Sequence, residues 1–142
     1  MDARTCGLLN RALQFELSAV QHYLAQSVLA RQLRDATLAD SLFQEAQAEL
    51  AHARILMERM IESGVTPSAG ALSPPRLGRG PADFSAMNRR LEQQAVLMYQ
   101  DAVLHARRIR DAGSLALFEN LLRDEIAHCA RWGDADRSDD RR

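Results

Sequence analysis

Apolar residues recur every three or four positions along four stretches of the chain, and no Pro interrupts any of them. This period predicts helices over about residues 5–34, 37–63, 82–110 and 114–132. Thr37 and Ser114 suit the N-cap positions of the second and fourth helices, and Gly64 suits the end of the second. No segment alternates apolar and polar residues as a half-buried strand does. The sequence therefore predicts an all-α fold with four helices.

A segment rich in Pro and Gly separates the second predicted helix from the third. All four Pro and four of the seven Gly lie between Gly64 and Pro81. The other two connections are short, which is typical of antiparallel neighbours. We therefore predict two antiparallel helical hairpins joined by a crossover loop over residues 64–81. We expect a single domain over residues 1–142, with a frayed polar tail over residues 133–142.

Composition narrows the possible classes of protein. Apolar residues make up 46% of the chain, charged residues 26%, and the net charge is −1, which disfavours a nucleic-acid surface. Cys6 and Cys129 form no CxxC motif, and the N-terminus lacks the pattern of a signal peptide. No apolar run is long enough to span a membrane. We expect a cytoplasmic protein with no membrane partner and no direct nucleic-acid partner.

Two short motifs combine a carboxylate with an imidazole. Glu49-Leu-Ala-His52 lies in the second predicted helix, and Glu125-Ile-Ala-His128 lies in the fourth. Residues three positions apart share one face of a helix, so each pair can present an oxygen and a nitrogen ligand to one metal ion.

The spacing of further Glu residues extends these motifs into an internal repeat. Glu16 precedes Glu49 by 33 residues, Glu92 precedes Glu125 by 33, and the two copies are offset by 76. Glu16 also shares the apolar stripe of its helix, so its carboxylate is expected in the core. Each hairpin therefore supplies one Glu followed by Glu-x-x-His.

Buried carboxylates without partners are very costly, and four negative charges balance two divalent cations. We therefore predict a two-metal site; the alternative is that these residues are solvated charges on helix surfaces. Its predicted ligands are Glu16, Glu49, His52, Glu92, Glu125 and His128.

Three segments resemble the first, second and fourth helices of bacterioferritins: LNRALQFELSAVQHYLAQ, ELAHARILMERM and LLRDEIAH. The resemblance covers about residues 8–132 and implies a ferritin-like four-helix bundle. It also implies that Glu16 and His52 hold one iron ion, that Glu92 and His128 hold the other, and that Glu49 and Glu125 bridge them. The family oxidises Fe(II) with O₂ or H₂O₂ and stores the ferric product in a hollow shell.

Three departures from the family pattern change these expectations. Leu50 occupies the position of the Met that binds haem in bacterioferritins, so haem is not expected there. Gln44 and Ala48 replace supplementary iron ligands of the inner shell surface. The chain ends soon after His128, so the short fifth helix is expected to be absent. The homo-oligomer could then be a shell of 12 or 24 subunits, or a dimer.

Aromatic and polar residues near the ligands are candidates for supporting roles. Tyr23 lies seven residues after Glu16 and matches a bacterioferritin tyrosine, so we predict that it acts in catalysis. Tyr99 lies seven residues after Glu92, Asp124 could orient an imidazole, and Trp132 could carry an electron; packing or surface roles are the alternatives. The two other histidines, His22 and His105, lie off the ligand faces and are expected at the surface or in an interface.

Three other functions are compatible with the sequence to different degrees. A rubrerythrin-like di-iron peroxidase or oxidase would use the same ligand types, although the chain lacks the paired CxxC motifs of a rubredoxin domain. A DNA-protecting mini-ferritin is disfavoured by the near-neutral charge and because all six ligands fit one chain. A purely structural helical protein would bind no metal. The ligand set accepts manganese as well as iron.

Overall fold

The computed structural model describes the backbone of residues 1–140 and the side chains of residues 1–133. Its long helices are α1 (Ala3–Gln32), α2 (Ala36–Glu62), α3 (Phe84–Arg108) and α4 (Ala112–Asp140), and a short 3₁₀ helix (Pro81–Asp83) precedes α3. Residues 1–140 contain no strand, so the prediction of an all-α fold is confirmed.

The N-termini of α2 and α4 lie earlier than the sequence predicts. Asp35 caps α2, where its carboxylate accepts the backbone N–H of Leu38 at 3.1 Å. The Asp111 carboxylate accepts the backbone N–H of Ser114, also at 3.1 Å. Thr37 and Ser114 are therefore not the caps, because an Asp two or three residues earlier already accepts the N–H groups that open each helix.

The last helix is longer than its predicted end at residue 132. The backbone remains helical through Gly133 and as far as Asp140, and residues 141–142 lie outside the described part. The segment contains no Pro, and extending an existing helix needs no new nucleation. A polar composition alone therefore did not locate the helix end.

The turns of the two hairpins share one backbone design. Arg34 and Arg110 have positive φ values of 64° and 60°. In each case the following Asp donates its N–H to a carbonyl of the preceding helix: Asp35 to Ala30 at 2.9 Å, and Asp111 to Ala106 at 3.0 Å. The offset of 76 residues thus includes the turns as well as the metal-binding motifs.

We expect Arg34→Gly to stabilise the protein by about 0.5–1 kcal/mol. A left-handed conformation costs an L-residue about 1–2 kcal/mol, and the greater freedom of Gly in the unfolded chain offsets part of that gain. Urea unfolding at fixed protein concentration measures the change. Arg11→Gly, at an exposed position inside α1, is the control and should destabilise by about 1 kcal/mol. Equal destabilisation by both variants would contradict the assignment of strain to Arg34.

The chain divides into two compact units, Met1–Leu77 and Gly78–Arg142. In the first unit α1 packs against α2, and in the second α3 packs against α4. Both units have aliphatic and aromatic cores; the largest apolar side chains that are fully buried include Tyr23, Leu9, Leu13, Leu42, Leu56 and Met60 in the first unit, and Tyr99, Phe84, Phe118 and Leu121 in the second.

Within the first unit, the crossover segment lies along a row of polar side chains on α1. Gln14 donates to the carbonyl of Ala71, and the backbone N–H of Ser73 donates to the Ser18 hydroxyl at 2.9 Å. Gln21 donates to the Ser73 carbonyl. The row satisfies backbone groups that no regular secondary structure would pair, so the crossover is held as an ordered segment.

His22 extends this row and corrects one expectation. Its Nδ1 accepts the backbone N–H of Arg76 at 3.1 Å, and Gln26 donates to the Arg76 carbonyl at 3.1 Å. His22 is therefore buried, with 5% of its surface exposed, and His105 is buried in the second unit. The prediction of a surface position was wrong for both, and the alternative, a position in an interface, stays a prediction. For His22 the reason is that the crossover binds it, a contact that helix periodicity cannot reveal.

Among the described residues, no helix combines the length and the apolar character needed to cross a membrane.

Candidate metal centre

The first unit brings three of the predicted ligands together. Glu16 lies on the buried face of α1, and Glu49 and His52 lie one turn apart on the buried face of α2. Each residue offers one ligand atom, and these atoms lie within 4.8 Å of one another. His52 Nδ1 is 3.5 Å from Glu16 Oε1. Helix packing therefore assembles two carboxylates and an imidazole from residues that are 33 and 3 positions apart.

The second unit repeats this arrangement with the other three predicted ligands. Glu92 lies on the buried face of α3, and Glu125 and His128 lie one turn apart on α4. His128 Nδ1 is 3.7 Å from Glu92 Oε1 and 3.9 Å from Glu125 Oε2. Both imidazoles thus present the same ring nitrogen to the carboxylates of their own unit.

The burial of these groups points to cation binding. All four carboxylates have essentially no exposed surface, and both imidazoles are more than nine-tenths buried. Two carboxylates held close together away from water repel each other, and a cation relieves that repulsion. Oxygen ligands from carboxylates combined with imidazole nitrogen suit iron, manganese or zinc, and the hard carboxylates favour Fe(III). The residues present therefore fit a redox-active metal.

The amino-acid sequence of the chain is similar to those of ferritin-like proteins. A ferritin-like domain model matches residues 6–135. The bacterioferritin of Brucella melitensis is 30% identical over 120 residues, which cover 84% of this chain and 74% of the relative.

The chain belongs to the bacterioferritin family of ferritin-like proteins. Rhodobacter capsulatus bacterioferritin is 29% identical over 127 residues, covering 89% of this chain and 79% of the relative. A solved structure of that bacterioferritin is described as having a metal-free dinuclear site and a haem iron in a crystallographic special position. It matches with a TM-score of 0.95 at 28% identity, over 99% of this chain and 88% of that chain.

The family match confirms the predicted fold class. The chain has the ferritin-like four-helix fold, with two hairpins and a long connection between α2 and α3. The segments that resemble bacterioferritins contain Glu16 in α1, Glu49 and His52 in α2, and Glu125 and His128 in α4.

Both tyrosines of the chain are fully buried. The Tyr23 ring contacts the His22 ring edge-on at 5.3 Å between centroids, and Tyr99 packs at 6.4 Å from Phe118. These contacts hold each ring in a fixed orientation. The catalytic role of Tyr23 stays a prediction.

Other residues from the sequence analysis have clear locations. Asp124 is exposed on α4, and Trp132 is buried. Leu50 is 54% exposed, on the surface of α2 beside the buried Glu49. In this chain, the position after Glu49 therefore presents an apolar side chain on the exposed surface of α2.

Cys129 follows His128 but does not have the properties of a thiolate ligand. Burial raises the pKa of its thiol, and the nearby negative charge of Glu92 raises it further. The thiol is therefore protonated at neutral pH, which makes it a poor metal ligand and a weak nucleophile.

Sequence reasoning missed one buried carboxylate, that of Glu45. It lies on α2 one turn before Glu49, and the two residues offer carboxylate oxygens within 4.8 Å of each other. Ala48, and not His, lies three residues after Glu45, so Glu45 does not form the Glu-x-x-His motif. The available signal was its spacing, since residues 45, 49 and 52 share one helix face.

Proposed function

We propose that this chain is a bacterioferritin-like ferroxidase that oxidises Fe(II) at one di-iron site per subunit and stores ferric iron in a homo-oligomeric shell. Glu16 and His52 would hold one iron ion, and Glu92 and His128 the other. Glu49 and Glu125 would bridge the two ions. Iron is the substrate as well as the stored product.

One observation carries this proposal: each unit holds the same buried donor set of two carboxylates and one imidazole. The sites of the two units are related by the offset of 76 residues, and so are the turns. The match over 99% of the chain to a protein described as having a dinuclear site supports combining the two sets into one site.

The charge and electron balances are consistent with such a reaction. Four carboxylates neutralise two Fe(II) ions, and hard oxygen ligands favour the ferric product. With peroxide, two Fe(II) and two protons convert one H₂O₂ to two H₂O. With dioxygen, two Fe(II) and two protons convert one O₂ to one H₂O₂. Either oxidant therefore accepts the two electrons that one di-iron site supplies.

The protein's own residues contribute position and environment. Helices α1 to α4 fix the carboxylates before iron arrives, which reduces the reorganisation required during oxidation. The buried phenol of Tyr23 would orient a ligand or donate an electron near Glu16.

Oxidation stoichiometry tests the ferroxidase proposal directly. Apoprotein is titrated with Fe(II) without oxygen and then mixed with O₂ or with H₂O₂. We expect rapid oxidation that saturates at two Fe(II) per chain with each oxidant. Failure to bind Fe(II), or oxidation no faster than in protein-free buffer, would overturn the proposal. Repeating the titration with Mn(II) measures the preference between the two metals.

We also propose that the protein does not bind haem through position 50, since the exposed Leu50 offers no ligand atom. Leu50→Met is expected to introduce a thioether and to produce a haem absorption band when the protein is reconstituted with haem. Leu50→Ile, which adds no sulfur, is the matched control. Haem binding by the unmodified chain at the level of Leu50→Met would contradict this expectation.

A further inference from the structure

Glu45 is a buried carboxylate outside the six predicted ligands. Only 7% of its surface is exposed, although Gln44 beside it is exposed and Ala48 is half-buried. Glutamate is almost never this buried unless its charge is compensated. The carboxylate is therefore placed in the interior by the register of α2 and is not part of a solvated surface.

The position of Glu45 relative to Glu49 sets what it can do. The two residues are four positions apart, which is about 6 Å along the helix axis. Their carboxylate oxygens nevertheless approach within 4.8 Å of each other. Oxygen ligands bind iron-sized cations at about 2.0–2.2 Å, so two oxygens that share one ion lie at most about 4.4 Å apart. A shift of about 0.4 Å in either side chain is enough to bring both oxygens onto one ion. Helix α2 thus supplies three consecutive donors on one face: Glu45, Glu49 and His52.

We propose that Glu45 is a seventh iron ligand, which binds one of the two iron ions that Glu49 would bridge and binds it more strongly as Fe(III) than as Fe(II). This inference rests on the proposed function. Four carboxylates already balance two Fe(II), so a fifth leaves one negative charge in excess. Oxidation of both ions to Fe(III) adds two positive charges to the site. The site then has a net positive charge that attracts the Glu45 carboxylate. Glu45 therefore favours the oxidised site.

Glu45 also lies close to two positions at which the chain departs from the bacterioferritin pattern, Gln44 and Ala48. At the positions of the supplementary ligands that resemblance to bacterioferritins suggests, Ala48 has no ligand atom and Gln44 has only a neutral amide, whereas Glu45 supplies a carboxylate in the same turn of α2. Its burial directs it towards Glu49 and not towards solvent.

The test compares Glu45→Gln, which keeps the shape and removes the charge, with Glu45→Asp, which keeps the charge. Glu62→Gln, an exposed carboxylate near the end of the same helix, is the matched control. The readouts are a crystal structure with anomalous scattering from bound iron, and the reduction potential of the di-iron site. Circular dichroism confirms that each variant folds.

We expect anomalous density within coordination distance of a Glu45 oxygen in the ferric protein. We also expect Glu45→Gln to lose about tenfold more affinity for Fe(III) than for Fe(II), which raises the potential by about 59 mV. Glu45→Asp should restore part of the shift, and Glu62→Gln should cause none. An unchanged potential in Glu45→Gln, or ferric density that excludes Glu45, would overturn the inference. Absence of two bound irons in the unmodified protein would instead overturn the proposed function.

Discussion

Replacing Glu49 by Gln is expected to lower the rate of Fe(II) oxidation by at least about 100-fold. Loss of a supporting group near a metal typically costs 10–100-fold, and Glu49 is a proposed bridging ligand to both ions. Gln preserves the volume of the side chain but removes the charge that a bridging carboxylate provides. Stopped-flow mixing of Fe(II)-loaded protein with oxidant measures the rate.

The internal repeat supplies the matched comparison for this prediction. Glu125→Gln changes the equivalent residue of the second unit and should cause a loss of similar size. The double variant should be little worse than either single variant, because groups that act as a unit are not additive. Glu58→Gln, an exposed change on α2, should leave the rate unchanged. A fast Glu49→Gln variant would contradict the assignment of Glu49 as a bridge.

Metal loading is expected to raise the thermal unfolding midpoint by about 15 °C. A ligand present at 100 times its dissociation constant stabilises the folded state by about 2.7 kcal/mol, so two ions contribute about 5 kcal/mol. For a chain of this size each kcal/mol shifts the midpoint by about 3 °C. Zn(II) is the suitable probe because it does not change oxidation state, with EDTA-treated protein as the reference.

In this experiment Glu49→Gln should be more stable than the unmodified protein without metal and less stable than it with Zn(II). Without metal it removes one of several close, buried negative charges, so the variant should be more stable than the unmodified protein by about 1–3 kcal/mol, because each pKa unit of like-charge repulsion corresponds to about 1.4 kcal/mol. With Zn(II) it should gain much less and become the less stable of the two. Glu62→Gln should behave like the unmodified protein in both conditions. If Zn(II) leaves all midpoints unchanged at equal protein concentration, the buried carboxylates do not form a metal site.

Much of the architecture was accessible from periodicity and spacing. The four helices follow from apolar stripes, and the crossover follows from the cluster of Pro and Gly before Pro81. Helix starts were less accessible, since Thr37 and Asp35 are both good caps. The positive φ of Arg34 lets the turn close at Asp35, and a bulky residue gives no sequence signal for that conformation.

The candidate ligands were more predictable than their surroundings. The Glu-x-x-His spacing is visible in the sequence and occurs twice, as Glu49 with His52 and as Glu125 with His128. Contacts made by an irregular segment have no such sequence pattern, which is why the burial of His22 against the Arg76 backbone was missed. Glu45 was missed for a different reason: it has no His three residues later, although its spacing from Glu49 and His52 places it on the same helix face.

The most direct test of the account is the amount of iron retained per chain after aerobic loading with excess Fe(II). Size-exclusion chromatography with light scattering gives the mass of the assembly on which the iron elutes. We predict a large homo-oligomer that retains many times more iron than two ions per chain, and we predict that Glu49→Gln retains far less. Retention of only two ions per chain would indicate a di-iron enzyme, and the proposal of iron storage would then be contradicted.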